Sequence, residues 1–148
     1  MKKYFTLLLM TLIAIPSFSF AQMGDVITQD INQLPAAARS FIGKHFASAK
    51  VSYIKVDKEL LSTDYEVLLT DRSEISFDGK GEWTEVDCKR VAVPAVLVPD
   101  YIVAYVKSNF PDQVITKIER NRWGTEVELL NDVSFRFNKK GKMVEADD

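Results

Sequence analysis

This 148-residue chain contains one thiol and one imidazole, Cys88 and His45. A thiol–imidazole pair can do nucleophilic chemistry only when the base sits within hydrogen-bond reach of the sulfur. No local motif around either residue builds that geometry. A structural zinc takes four Cys or His ligands, more than the sequence owns. The stretch DGKGE (residues 78–82) opens like a calcium loop. It lacks the further alternating oxygen ligands and the glutamate at the twelfth position, and the segments flanking it read as strands, so it is a hairpin turn. Carboxylates two apart, such as Glu126 and Glu128, or adjacent, Asp147 and Asp148, recur along the chain. A glycosidase pair would need a pocket and one raised pKa, whereas period-two carboxylates mark the solvent face of a strand. The sequence thus assigns no catalytic residue, no metal and no cofactor. Cys88 has no partner for an internal disulfide, and beside Val86, Val91 and Val93 it reads as a small buried apolar residue.

Aromatic residues are the better functional signal. Tyr and Trp supply large contact area and are enriched at binding hot spots. Tyr65 is in register with Val67, and Tyr105 lies on a helical apolar stripe, so both read as core. Tyr53 is out of register with Ile54 and is expected to face outward. Trp83 lies between Glu82 and Thr84, with either face open to it, and Trp123 precedes Gly124 at an expected loop tip.

The first residues stand apart from any fold. Lys2 and Lys3 precede an apolar run ended by Pro16, and Ser19-Phe20-Ala21 places small residues at a cleavage site. That is the layout of a secretory signal peptide, expected over 1–21, and the run is short for a membrane span of about 20 residues. Cleavage removes those two lysines and takes the formal net charge from −2 to −4. The remaining basic residues are scattered, so no stripe invites nucleic acid. No second long apolar run exists, so no membrane insertion is expected after cleavage.

The elements that position these residues are written twice. LPAAARSFIGKHFASAKVSYIKVD lies over VPDYIVAYVKSNFPDQVITKIERN at an offset of 64, pairing Pro35 with Pro99, Phe46 with Phe110 and Ile54 with Ile118. After a four-residue insertion near 58–61 the offset becomes 60, pairing Val67 with Val127, Phe77 with Phe137 and Gly81 with Gly141. Each copy predicts a helix with Pro in its first turn, striped by Ala38, Phe41 and Ile42 or by Ile102, Tyr105 and Val106. Four β-branched or alternating strand segments follow, joined by turn residues. The expected fold is therefore α+β: two tandem helix-plus-four-strand units forming one long antiparallel sheet, with both helices on one face. The division is a loosely held N-terminal arm (22–33), unit 1 (34–87), an extended apolar connector packed on the body (88–97) and unit 2 (98–148). Val67, Leu69, Ile75 and Phe77 take the helix side, and Glu66, Glu126, Glu128 and Arg136 take the open side.

Three features resemble the PepSY-like family of exported bacterial proteins: the Leu34-Pro35 helix opening, the Tyr65-Glu66-Val67 strand, and the hairpin Ile75-x-Phe77-Asp78-x-x-Gly81. The second copy, Glu126-Val127 and Phe135-x-Phe137-Asn138-x-x-Gly141, is similar but has Thr125 in place of the Tyr. Two such units behind a signal peptide resemble small proteins of Bacteroides-like bacteria, whose fold is similar to that of the β-lactamase inhibitory protein. The resemblance covers nearly all of residues 34–147 and carries over no catalytic residue. It implies an exported, periplasmic or secreted, non-enzymatic protein that binds a protein or peptide of the cell envelope, as an inhibitor of a peptidase or another envelope enzyme. The expected contact residues are Tyr53, Glu66, Trp83, Trp123, Glu126, Glu128 and Arg136. The alternative is a small-ligand sensor or carrier with a pocket between helices and sheet.

Overall fold

The computed structural model describes residues 24–147; the expected signal peptide lies outside the described residues. In chain order the elements are β1 (Val26–Thr28), α1 (Ala36–His45), β2 (Val51–Lys58), β3 (Thr63–Leu69), β4 (Glu74–Phe77) and β5 (Trp83–Asp87). Then come α2 (Asp100–Asn109), β6 (Ile115–Arg120), β7 (Gly124–Leu129), β8 (Ser134–Asn138) and β9 (Met143–Asp147). Short 3-10 turns, Ile31–Gln33 and Ala95–Leu97, precede the two helices. The strands form one antiparallel sheet in the order β1 to β9, each pairing with its chain neighbours. Among the described residues the architecture is α+β, with two α-helices and a single sheet.

Pro35 and Pro99 cap the helix starts, where the missing N–H is one that no helix bond would use. Both helices close alike. The N–H of Phe46 donates to the carbonyl of Ile42, and that of Phe110 to Val106. The β4–β5 hairpin turns through Gly81 at φ +83, and a Cβ there would strike Pro35 and the backbone of Ala38. Glycine is needed at this position for its conformation and because the turn docks against the start of α1.

Cross-strand register builds the core. Ile54, Val67, Ile75, Val86, Ile118, Val127 and Phe135 are successive Cα partners across seven strands. All are buried, and burying each such side chain stabilises by about 1.5–3 kcal/mol. Ala38 and Ile42 of α1 and Ile102 and Val106 of α2 are buried with them. Phe41 meets Phe77 edge-on at 5.6 Å, and Tyr105 meets Phe135 at 5.2 Å and Phe137 at 5.6 Å.

Three details depart from the sequence expectations. The described part of the arm is not loose: Val26–Thr28 pairs with Val56, Lys55 and Ile54 of β2, because β2 would otherwise leave its outer edge unpaired. The connector carries a 3-10 turn instead of running extended throughout, and it is pinned by the Val93 N–H donating to the Ile115 carbonyl at 2.9 Å. Val91 does not pack beside Cys88. It is exposed, because Lys89 turns the backbone at φ +60.

Candidate functional site

Strand alternation and register together lay out the face that carries the polar side chains. One row of Cα partners runs Lys55, Glu66, Ser76, Glu85, Glu119, Glu126, Arg136, Glu145. The next runs Tyr53, Leu68, Glu74, Asp87, Lys117, Glu128, Ser134, Asp147. Carboxylates dominate both rows, and the few cations are already engaged. Lys117 lies 3.2 Å from Glu85, Lys55 lies 3.0 Å from Asp25, and Arg136 bonds Glu126 at 2.8 Å and also Glu145. At the rim, Lys89 bridges Asp87 and Glu74.

These pairs perturb the cations. Hydrogen bonding to Glu126, with the charges of Glu126 and Glu145, raises the pKa of Arg136. Burial pulls the Lys117 ammonium down, but Glu85, Asp87 and Glu128 carry its pKa above the ordinary value. Both stay fully charged at neutral pH.

The centre of the first row is the unusual part. Glu85 faces Glu119, and Glu119 faces Glu126, on three adjacent strands. Like charges placed directly opposite one another destabilise a sheet. Arg136 covers one end of this run and Lys117 the other, and Glu119 between them has no ion-pair partner among the described residues.

The seven expected contact residues divide as follows. Glu66, Glu126 and Arg136 share the first row, and Tyr53 and Glu128 share the second. Trp123 is 68% exposed at the tip of the β6–β7 turn. That tip is ordered by Asn121 Oδ1, which accepts the N–H groups of Trp123 at 2.8 Å and Gly124 at 3.2 Å, and the Arg122 guanidinium stacks on the indole at 4.6 Å. Trp83 is not on the polar face. A bulge between Ser76 and Phe77 sets Trp83 opposite Phe77, so its ring packs against the core beside Phe41 at 6.1 Å. Arg120 covers the ring at 4.0 Å and donates to the Trp83 carbonyl at 2.7 Å. Glu85, Glu119 and Lys117 were not singled out in the sequence. Their period-two spacing was visible, but the β5–β6 register that joins Glu85 to Glu119 was not.

The residues tested for chemistry are placed plainly. Cys88 is buried, and burial pushes its thiol pKa up, with Asp71 and Asp87 adding to the shift against a Ser73 hydrogen bond. Native Cys88 should therefore react with a thiol reagent at least about a hundredfold more slowly than in the guanidinium-unfolded chain; equal rates would place it at the surface. His45 packs at a tilt against Phe41, 4.7 Å between ring centres, and burial and Lys44 lower its pKa. In the β4–β5 turn, Asp78 Oδ1 accepts the N–H groups of Lys80 and Glu82, both at 2.9 Å. Asn138 repeats that bond set with Lys140 and Lys142. Among the described residues no group of three or more His, Cys, Asp or Glu is placed to hold a metal, and no helix is long and apolar enough to cross a membrane.

Residues 63–145 match a family model described as "Putative beta-lactamase-inhibitor-like, PepSY-like". No curated protein matches the chain. Three solved structures are similar over 84% of this chain. A "putative periplasmic protein of unknown function" from Bacteroides vulgatus is 46% identical, is covered over its full length (100%), and superposes with a TM-score of 0.81. A second "putative periplasmic protein" from the same organism is 39% identical, covered over 97%, with a TM-score of 0.79. A "putative calcium-regulated periplasmic protein" from Bacteroides thetaiotaomicron is 37% identical, covered over 97%, also at 0.79.

Proposed function

The chain belongs to the beta-lactamase-inhibitor-like, PepSY-like family, and from that premise we propose that it is a periplasmic, non-enzymatic binding protein. It holds a basic protein or peptide of the cell envelope on its open sheet face. The observation that carries this reading is the opposed run Glu85–Glu119–Glu126. Its cost to the sheet is offset when a cationic partner lies across it, and steering of such a partner by an acidic face speeds encounter. Trp123, exposed and ordered at its loop tip, supplies an aromatic anchor at the margin. Tyr53, Glu66, Glu128 and Arg136 fix register. Trp83 is left out of this contact set, since its ring is packed against Phe41.

The finer architecture belongs to the same reading. The chain is two tandem units with both helices on one side of the sheet, so that the acidic side stays open. Equal helix lengths, the paired 3-10 turns and the matched Asp78 and Asn138 turns support it. Residues 1–21 direct export and are removed. Occlusion of a peptidase or another envelope enzyme by this preformed face is the sharper form of the function.

The test is capture of envelope proteins from the source bacterium by the immobilised exported chain (22–148), with and without Glu85→Lys plus Glu119→Lys. Reversing both charges should weaken capture by at least about tenfold and make it less sensitive to salt, while melting falls modestly, because two like charges still face each other across β5 and β6 and Lys117 loses its Glu85 partner. A partner retained equally by the reversed face, at any salt, would overturn the reading.

A further inference from the structure

Behind α2, the connector and the residues leading into β6 border an apolar cavity of about 180 Å³ that is open to solvent. Val93, Val103, Val106 and Ile115 line it, and two polar side chains join them, Lys107 and Gln113. Gln113 Oε1 is buried without a hydrogen-bond partner, so it is an acceptor that lacks a donor. Lys107 has no carboxylate partner among the described residues.

On the reading of two tandem units, unit 1 is an internal control for this cavity. The 3-10 turns, helices and following strands correspond at an offset of 64 residues. Where the connector and unit 2 have Val96, Val103 and Val114, the arm and unit 1 have Asn32, Arg39 and Lys50. There the Arg39 guanidinium donates to Asn32 Oδ1 at 3.1 Å, placing a polar bond at the two positions that are valine in the second copy. Lys107 and Gln113 correspond to Gly43 and Ala49. The fold therefore tolerates polar side chains at these positions. The valines leave Val96 and Val114 exposed, at 75% and 41%, and Val114 lines the hollow itself, so apolar side chains stand where the arm and unit 1 show that polar ones fit.

We propose that this cavity binds the C-terminal end of a polypeptide whose last residue is apolar. A cavity of about 150 Å³ admits benzene, so this one takes a single leucine-, methionine- or phenylalanine-sized side chain. Gln113 Oε1 is sealed from solvent in the hollow, so the Gln113 side chain turns outward to accept the last backbone N–H, a bond that a free amino acid's ammonium would make only after losing its hydration. The terminal carboxylate pairs with the Lys107 ammonium. The site lies apart from the acidic sheet face and shares no residue with it.

The test titrates the exported chain (22–148) with N-acetyl-leucine, N-acetyl-leucinamide, free leucine and a hexapeptide ending in leucine, read by methyl and amide chemical shifts. The expected result is saturable shifts confined to Val103, Val106 and Gln113 with the hexapeptide and with N-acetyl-leucine. The leucinamide and free leucine should bind at least about tenfold more weakly. Val103→Arg, which installs the unit 1 residue, should abolish the shifts with melting retained. Lys107→Ala should erase the preference for acid over amide. Failure of the hexapeptide and N-acetyl-leucine to bind, equal binding of the amide or of free leucine, or binding that survives Val103→Arg would each overturn the assignment. Glu85→Lys plus Glu119→Lys should leave this binding intact, so failure of the sheet-face reading and failure of this one are separable.

Discussion

Phe77→Ala should lower the stability of the folded chain by about 3–5 kcal/mol, the range for emptying a buried aromatic site. Phe77 is 1% exposed. It pairs with Tyr65 on one side and Trp83 on the other, and it receives Phe41 of α1 edge-on. Truncation leaves a void that three aromatic neighbours cannot all close, because each is held by its own strand or helix. At about 4 °C per kcal/mol for a domain of this size, the melting midpoint should fall by roughly 12–20 °C. Calorimetry or far-UV circular dichroism would read it. A fall of only a few degrees would mean that α1 does not depend on this ring for its seat.

Gly124→Ala should cost about 3 kcal/mol or more, at or beyond the upper end for overpacking a core site. Gly124 opens β7 opposite Asn138 of β8. A Cβ there would be driven into the carbonyl oxygen of Phe137 and would stand 2.9 Å from the Asn138 Cα. The obstacle is backbone, so no rotamer change relieves it, and the two strands must separate at that end. Gly43→Ala is the matched control. It lies within α1 with nothing within 4 Å of the added carbon, and replacing a helical glycine should stabilise by roughly 0.5–1 kcal/mol. Thermal melts of the two variants should move in opposite directions. Movement together would mean that the β7–β8 pairing is looser than its register implies.

The helices and strands were legible because they rest on local signals. Pro35 and Pro99 announce helix starts, the Ala38/Phe41/Ile42 and Ile102/Tyr105/Val106 stripes announce their buried sides, and Asp78 and Asn138 announce the hairpins. β1 was not legible, because Val26–Thr28 is short, sits in a polar stretch, and is a strand only by virtue of the β2 edge beside it. The face taken by Trp83 escaped for a related reason. Alternation counts residues by two, and the bulge at Ser76/Phe77 adds one that no composition signal marks. The acidic row was half legible: Glu66, Glu126 and Arg136 fall on it by parity alone, whereas Glu85 meets Glu119 only through the pairing of β5 with β6. The cavity behind α2 left a trace in the sequence too, in the exchange of Asn32, Arg39 and Lys50 for three valines. Its walls come from three separate segments, so only the folded chain shows that they meet.

The consecutive strand order also bears on how the chain reaches this state. Every strand pairs with its neighbour in chain order, so no pairing needs a segment made much later; the loops to be closed are short except those of β1–β2 and β5–β6, which carry α1 and α2. Topologies of this kind have low contact order and fold fast for their size. A chain threaded across a membrane N-terminus first can therefore add one strand at a time to a growing sheet as each emerges. The lone buried thiol of Cys88 leaves no disulfide to form or reshuffle on the way.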